Sequence, residues 1–111
     1  MKLFLILSII GVYFLNPIPT NLTATWYNMH GAKTASGERM HKDSLTAAYN
    51  YAPFGTRIKV TNLSNGKSCT VKITDRMGVK EEGKIDLSYA AFGSIAKHSE
   101  GKIRVEIEFI K

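Results

Sequence analysis

The stretch RIKVTNLSNGKSCTVKITD, residues 57–75, decides the fold. Apolar and polar side chains alternate through residues 57–61 and again through residues 69–75, which is the period of a half-buried β-strand. Between these runs lies Asn65-Gly66, a dipeptide that tolerates positive φ at both positions and favours a tight hairpin turn. The stretch therefore predicts two antiparallel strands joined by a hairpin.

Segments on either side extend this pattern to a small, mainly β domain. Residues 22–27 alternate and are rich in Thr and aromatic side chains, and residues 103–109 alternate between branched apolar and charged side chains, so both are predicted strands. Residues 43–49 and 88–98 are predicted short helices, the second with Ser88 as its N-cap. The strands lie too close together along the chain for βαβ units, which favours a small barrel.

The first residues have the pattern of an export signal. A basic start at Lys2 precedes 13 almost wholly apolar residues, 3–15, and the prolines at 17 and 19 then break any helix. This run is short for a bilayer, which needs about 20 residues, but it suits a signal-peptide core. We predict a signal peptide over residues 1–20, cleaved between about 20 and 24, or else retained as an anchor, and a single domain over residues 21–111. The product is expected in the periplasm or cell envelope, without N-terminal lipid because this region has no cysteine.

Length and charge limit the possible functions. The chain has 111 residues, enough for one domain, and carries 15 Lys and Arg against 9 Asp and Glu, a net charge of +6. This excess favours a polyanionic partner such as nucleic acid, anionic lipid or an acidic wall polymer. Nucleotide binding is not expected because no Gly-rich loop precedes a helix. Nucleic-acid binding is not expected either, because the basic residues are scattered.

The cysteine is not expected to be a nucleophile, and the histidines are not expected to bind a metal. Cys69, the only cysteine, fits the apolar side of its strand, which favours a small buried side chain over a nucleophile that would need a paired base. His30, His41 and His98 lack the spacing of metal ligands, so we expect surface residues and no metal site.

Carboxylates are the candidate chemical groups. Asp75 has the parity of Val71 and Ile73, so it is expected to point inward, where an apolar environment disfavours the charged form and suits a general acid. Alternatively, it begins a turn and caps backbone amides or pairs with Arg76. Glu38 lies in a loop of small residues, where it either contacts a ligand or is solvated. Asp86 lies just before the predicted helix, where a negative charge favours the helix start.

The segments together resemble the RlpA-like double-psi β-barrel family over nearly the whole of residues 24–111. The matching runs, in chain order, are ATWY at 24–27, Gly31, KTASGE at 33–38, LTAA at 45–48, PFGTR at 53–57, VTN at 60–62, NGKS at 65–68, ITDR at 73–76, IDLS at 85–88 and Ala90-Ala91. The resemblance implies a six-stranded double-psi β-barrel with one or two short helices, exported to the bacterial envelope.

The resemblance also implies an activity on peptidoglycan glycan strands. Family members include endolytic lytic transglycosylases, which would cleave the MurNAc–GlcNAc β-1,4 bond and leave 1,6-anhydro-MurNAc ends without metal or cofactor. The family's acid falls on Asp75 and its loop glutamate on Glu38, which are therefore the candidate catalytic residues. The alternative is a non-catalytic, expansin-like module that binds wall glycan. We expect a monomer in either case.

Other positions are candidate substrate contacts, and some depart from the family. Tyr49 occupies the position of the family's histidine and would act as a hydrogen-bond donor, while Thr74 and Met77-Gly78 replace the more common Asn and Gly-Pro. Trp26 either stacks on a sugar or packs inward. The candidate substrate-binding residues are Tyr49, Thr34, Arg76, Tyr27 and Asp86.

Overall fold

The computed structural model of the chain describes residues 20–78 and 82–111. The predicted signal peptide lies outside these ranges except for Thr20, so it stays a prediction. Within the same ranges, no helix has both the length and the apolar character needed to span a bilayer.

Six strands of the described residues close into one barrel. Their bounds are β1 Thr20–Tyr27, β2 Thr46–Ala48, β3 Arg57–Asn62, β4 Ser68–Asp75, β5 Lys84–Ser88 and β6 Ile103–Ile110. The order around the barrel is β1-β5-β2-β4-β3-β6, and β6 pairs again with β1. The β1–β5 and β2–β4 pairs are parallel, and the other pairs are antiparallel. The predicted six-stranded, mainly β barrel is confirmed.

The barrel interior is filled by the apolar residues that alternate along the strands. Ile58 and Val60 of β3 are fully buried, as is Val105 of β6, while Arg57 and Lys59 point outward. The β3–β4 hairpin forms as predicted, with Gly66 at φ 77° in its turn. Removing these side chains from water supplies the main driving force for closing a barrel that has no disulfide among its described residues.

One α-helix covers an end of the barrel. Helix α1, Tyr89–Ile95, begins as predicted at Ser88, whose hydroxyl accepts a hydrogen bond from the Ala91 amide. Phe92 and Ile95 are buried against the core. The predicted helix over residues 88–98 is too long, because Ala96 is extended and a separate 3-10 turn follows at His98–Glu100.

The prediction of a helix over residues 43–49 is wrong. Thr46–Ala48 forms β2, which lies between β4 and β5 and pairs with both of them. Its alanines have a high helix propensity, but pairing on both sides satisfies the backbone and overrides a preference of a few tenths of a kcal/mol per residue. The segment at Lys84–Ser88, not predicted as a strand from its alternation, is β5.

A β-bulge near the end of β4 also overturns the parity assigned to Asp75. Ala47 pairs with Ile73, but Ala48 pairs with Asp75, so Thr74 is the extra residue. Ile73 and Thr74 are both buried, and the phase of the strand changes there. Asp75 is therefore on the face opposite Ile73, outside the barrel core.

Candidate functional site

A row of outward-facing residues crosses four neighbouring strands. Thr25 of β1 pairs with Asp86 of β5, Asp86 pairs with Ala48 of β2, and Ala48 pairs with Asp75 of β4. Residues directly opposite each other project from the same face of a sheet. The two carboxylates thus flank the small side chain of Ala48, with their backbones two strand spacings, or roughly 10 Å, apart.

Three members of this row, Ala48, Asp75 and Asp86, line a groove on the barrel surface. The groove is lined by Tyr27, Met29, Ala48, Asp75, Arg76, Met77, Gly78 and Asp86. Four of these were candidates from the sequence, namely Asp75, Arg76, Tyr27 and Asp86. Ala48 and Met29 were not, because their place in the groove depends on strand register and chain path and neither carries a reactive group.

Asp75 is half-buried and is held by the backbone of two segments. Its Oδ1 accepts hydrogen bonds from the amides of Ala35, at 3.0 Å, and Arg76, at 2.9 Å. Among the described residues, its Oδ2 has no hydrogen-bond partner. The bulge removes Asp75 from the barrel core, where parity had placed it, whereas the predicted capping of the following turn is confirmed by the Arg76 amide.

Asp86 is a half-buried carboxyl group. Burial raises its pKa above the usual value, the negative charge of Asp75 raises it further, and a hydrogen bond from Thr25 opposes the rise. The Thr25 hydroxyl donates to Asp86 Oδ1 at 2.7 Å. The expected role of Asp86 at the helix start is wrong, because its carboxyl bonds Thr25 on β1, the first turn of helix α1 contains no acidic residue, and Ser88 provides the cap.

Tyr27 places a buried phenol beside the two carboxylates. Burial raises its pKa to about 12, and the charges of Asp75 and Asp86 contribute to the rise. The hydroxyls of Thr46 and Thr74 lie near enough to oppose this rise, but they do not reach hydrogen-bonding geometry. The Tyr27 Oη and Thr46 Oγ1 are buried without a hydrogen-bond partner among the described residues. The phenol therefore stays protonated at neutral pH and is able to donate.

Arg76 forms part of the groove wall. Its Nη1 donates to the carbonyl oxygens of Tyr49, at 3.0 Å, and Asp75, at 3.4 Å. Its guanidinium carbon lies 4.0 Å from the centre of the Phe54 ring, a cation–π contact. The predicted alternative of side-chain pairing with the Asp75 carboxylate is not what the structure shows, since Arg76 bonds the carbonyl of Asp75 instead.

Three other predicted site residues lie outside the groove lining. Glu38 is exposed and forms an ion pair with Lys72, with Oε1 3.0 Å from Nζ. Thr34 is buried, and its hydroxyl donates to the carbonyl of Glu38 at 2.7 Å. Tyr49 is 6% exposed, packs in the core cluster and contacts the Tyr51 ring edge-on. Thr34 and Glu38 nevertheless close the loop whose Ala35 amide holds Asp75.

The remaining candidates behave as structural groups. Cys69 packs against the core, and burial raises the pKa of its thiol, as expected for a small apolar side chain. Trp26 packs inward, with its indole N–H donating to the His98 carbonyl at 3.0 Å. His30 and His41 are exposed as predicted, but His98 is half-buried and stacks on Tyr89 with ring centres 3.8 Å apart. No group of three or more His, Cys, Asp or Glu in the described part of the chain could hold a metal ion.

Comparison with known proteins shows which sequences this chain is similar to. A family model described as lytic transglycolase matches residues 20–107. A protein of Synechocystis sp. named "Probable endolytic peptidoglycan transglycosylase RlpA" is 46% identical over 90 residues, which cover 79% of this chain and 28% of that protein. The "Endolytic peptidoglycan transglycosylase RlpA" of Pseudomonas aeruginosa is 40% identical over 90 residues, 79% of this chain and 26% of the relative. This chain thus matches little more than a quarter of each of these relatives.

Solved structures support the barrel architecture. An expansin from Clavibacter michiganensis superposes with a TM-score of 0.71 at 24% identity, over 85% of this chain and 51% of the expansin. A mutant of that expansin, solved in complex with cellohexaose, gives a TM-score of 0.69 at 23% identity, with the same coverage. Identities at this level show the fold alone, and the superpositions confirm the predicted double-psi β-barrel.

Proposed function

The chain belongs to the lytic transglycolase family, and from that membership we propose that its groove cleaves peptidoglycan glycan strands as an endolytic lytic transglycosylase. The proposed bond is the MurNAc–GlcNAc β-1,4 linkage, and the proposed product ends in 1,6-anhydro-MurNAc. The observation that carries this proposal is the pair of carboxylates, Asp75 and Asp86, on either side of Ala48 in one groove.

The different surroundings of the two carboxylates favour different roles. Burial raises the pKa of Asp86, and the Thr25 hydroxyl fixes its orientation, so Asp86 suits a general acid that stays protonated to higher pH. Asp75 receives two backbone N–H bonds on one oxygen and presents the other, which suits a carboxylate that faces developing positive charge. We therefore propose Asp86 as the general acid, the role expected of Asp75 in the sequence analysis, and keep Asp75 as the second catalytic carboxylate.

The reaction follows from these roles. Asp86 donates its proton to the glycosidic oxygen, the bond from that oxygen to C1 of MurNAc breaks, and an oxocarbenium-like centre develops at C1. Asp75 stabilises that positive charge. The C6 hydroxyl oxygen of the same sugar then bonds to C1, and its proton passes to the Asp86 carboxylate, which restores the starting state. No external water is consumed.

The other predicted residues take supporting roles in this proposal. Tyr27, whose buried phenol remains protonated, forms part of the groove lining beside the two carboxylates, and Arg76 attracts an anionic polymer. Thr34 and Glu38 act through the loop that carries the Ala35 amide to Asp75, so Glu38 positions a catalytic group and does not itself react. The proposed substrate lies in the cell envelope, in agreement with the export predicted for residues 1–20.

The second candidate is a wall-binding module without catalysis. It is favoured by the fold shared with an expansin, of which a mutant was solved with cellohexaose. In that case, Asp75 and Asp86 would only contact glycan. The product distinguishes the candidates, because a binding module leaves strands intact, a hydrolase leaves reducing ends, and a transglycosylase leaves anhydro ends.

Mass analysis of purified peptidoglycan incubated with the protein tests the proposal. We expect anhydro-ended fragments from the wild type, none from Asp86→Asn, and strongly reduced amounts from Asp75→Asn. The matched control is Asp43→Asn, an exposed carboxylate outside the groove, which should leave the product unchanged. Undiminished anhydro product from Asp86→Asn, with the variant folded by circular dichroism, would rule out the assigned acid.

A further inference from the structure

The guanidinium of Arg76 is held by contacts within the protein. An aromatic ring covers one flat face, and backbone carbonyls accept hydrogen bonds at one edge. Its carbon lies 4.0 Å from the centre of the Phe54 ring, and its Nη1 donates to the carbonyls of Tyr49 and Asp75. A long side chain normally loses rotamer freedom when it binds a ligand. These contacts restrict that freedom in the folded protein, so Arg76 is partly preorganised.

The held guanidinium still has donors to offer. The contacts use one nitrogen and one face, and neither Nε nor Nη2 has a hydrogen-bond partner among the described residues. Arg76 lines the groove immediately after Asp75. A planar guanidinium presents two parallel N–H groups whose spacing matches the two oxygens of a carboxylate. The free donors therefore suit a carboxylate on a ligand in the groove.

Phe54 is the residue that sets this arrangement. It is 42% exposed, and one face of its ring is covered by the Arg76 guanidinium. Its place is fixed by the tight turn that follows, where Gly55 has φ 91° and its amide donates to the Ile73 carbonyl at 2.8 Å. A side chain at position 55 would be strained at that φ. The turn thus places the Phe54 ring against the Arg76 guanidinium.

We propose that Phe54 is a positioning residue that holds Arg76 as a receptor for a carboxylate carried by the glycan. This inference rests on the proposed function only in that a glycan occupies the groove, and it does not require that the glycan be cleaved. It predicts discrimination between polymers with the same β-1,4 backbone. A strand whose sugars carry a lactyl carboxylate is bound more tightly than chitin oligosaccharide, which is neutral.

Equilibrium binding tests this selectivity without relying on turnover. The probes are soluble GlcNAc–MurNAc oligosaccharides with free lactyl carboxylates and chitin oligosaccharides of equal length, titrated by calorimetry at low and high salt. Binding is measured in the full chain carrying Asp86→Asn, so that cleavage does not interfere. The variants are Phe54→Leu, which removes the aromatic face, Phe54→Tyr, which keeps it, and Arg76→Gln. The control is Phe109→Leu, since Phe109 is similarly exposed at 47% and lies on β6 outside the groove lining.

We expect Phe54→Leu to weaken binding of the acidic oligosaccharide about twofold to fivefold, the factor that corresponds to an exposed cation–π contact. Arg76→Gln should weaken it further and reduce its dependence on salt. Phe54→Tyr and Phe109→Leu should match the parent, and chitin binding should change in none of them. Equal loss for both probes in Phe54→Leu, or a parent protein that binds both alike or neither, would overturn the proposal. Failure of cleavage with the selectivity intact would overturn the proposed enzymatic function alone.

Discussion

The hydroxyl of Thr25 donates a 2.7 Å hydrogen bond to Oδ1 of Asp86, which is its directly opposed neighbour on a parallel strand. The bond favours the charged form of the carboxyl and so opposes the effects of burial and of the Asp75 charge on its pKa. The pKa of Asp86 is therefore a balance of three contributions, and the two that come from Thr25 and Asp75 can be removed separately.

Removing the Thr25 hydroxyl should raise the pKa of Asp86 further. Thr25→Val keeps the shape of the side chain but leaves Asp86 without that donor, whereas Thr25→Ser should retain it. Asp75→Asn removes a neighbouring negative charge and should lower the pKa. Carbon-detected NMR titration of the Asp86 carboxyl measures its pKa in the wild type and in these three variants. A pKa that falls in Thr25→Val would show that the hydroxyl does not stabilise the carboxylate.

Asp86→Asn should stabilise the protein at neutral pH. A carboxyl whose pKa is raised by folding favours the folded state fully only below its unfolded pKa, about 3.9, and that contribution is lost as pH rises through the folded pKa. At pH 7, the folded wild type therefore bears a free-energy cost, either of a partly buried charge or of the protonation that avoids it, and the variant avoids this cost while it can still accept from Thr25. We expect a higher Tm at pH 7 and a difference that vanishes near pH 3. A Tm at pH 7 equal to or below that of the wild type would contradict this account.

Gly93→Ala should be destabilising because of one side chain. A Cβ at position 93 would lie 2.6 Å from Cε1 of His98, and that ring cannot move freely because it stacks on Tyr89 and bonds its carbonyl. We expect a loss of about 1–3 kcal/mol in the free energy of unfolding. In a His98→Ala background, the same change should become stabilising by up to about 1 kcal/mol, the helix preference of Ala over Gly. Urea denaturation of the four proteins measures the coupling, and additive effects would argue against the clash.

Asn62→Leu should cost about 2–3 kcal/mol, although leucine is apolar and the site is buried. The Asn62 amide donates to the Ile95 carbonyl at the end of helix α1, at 2.8 Å, and its oxygen accepts from the Ser64 amide at 2.9 Å. Leucine leaves these backbone groups short of partners. The matched control is Asn65→Ala, a more exposed donor to the same carbonyl, which should cost about 1 kcal/mol or less in chemical denaturation. Equal effects would contradict the importance of burial here.

The elements predicted correctly are those that depend on residues close together in the chain. The β3–β4 hairpin follows from Asn65-Gly66 and from alternation on both sides, and Ser88 caps helix α1 as its hydroxyl suggests. Four strands were found within two residues of their ends. In each case, the deciding interactions lie between residues close in the chain or repeat at a regular period, so the sequence exposes them directly.

The remaining features depend on pairing between distant segments. Thr46–Ala48 is a strand because β4 and β5 lie on either side of it, 20 or more positions further along the chain. The bulge at Thr74 reverses the side on which Asp75 emerges, and a strict period of two cannot reveal it. The sequence around Asp86 favours a role at the helix start. Its actual partner, Thr25, lies 61 residues away and leaves no local signal.

The strand order also governs when the molecule can assemble. β1 comes first in the chain, but its two partners, β5 and β6, come last, beginning at Lys84 and Ile103. During synthesis from the N-terminus, the opening strand has no native neighbour until nearly all of the domain has emerged, so ring closure is a late event that depends on long-range contacts and is correspondingly slow. Truncation within β6 would remove its pairing with both β1 and β3 and so open the barrel. Both strands would then have exposed backbone edges that favour aggregation.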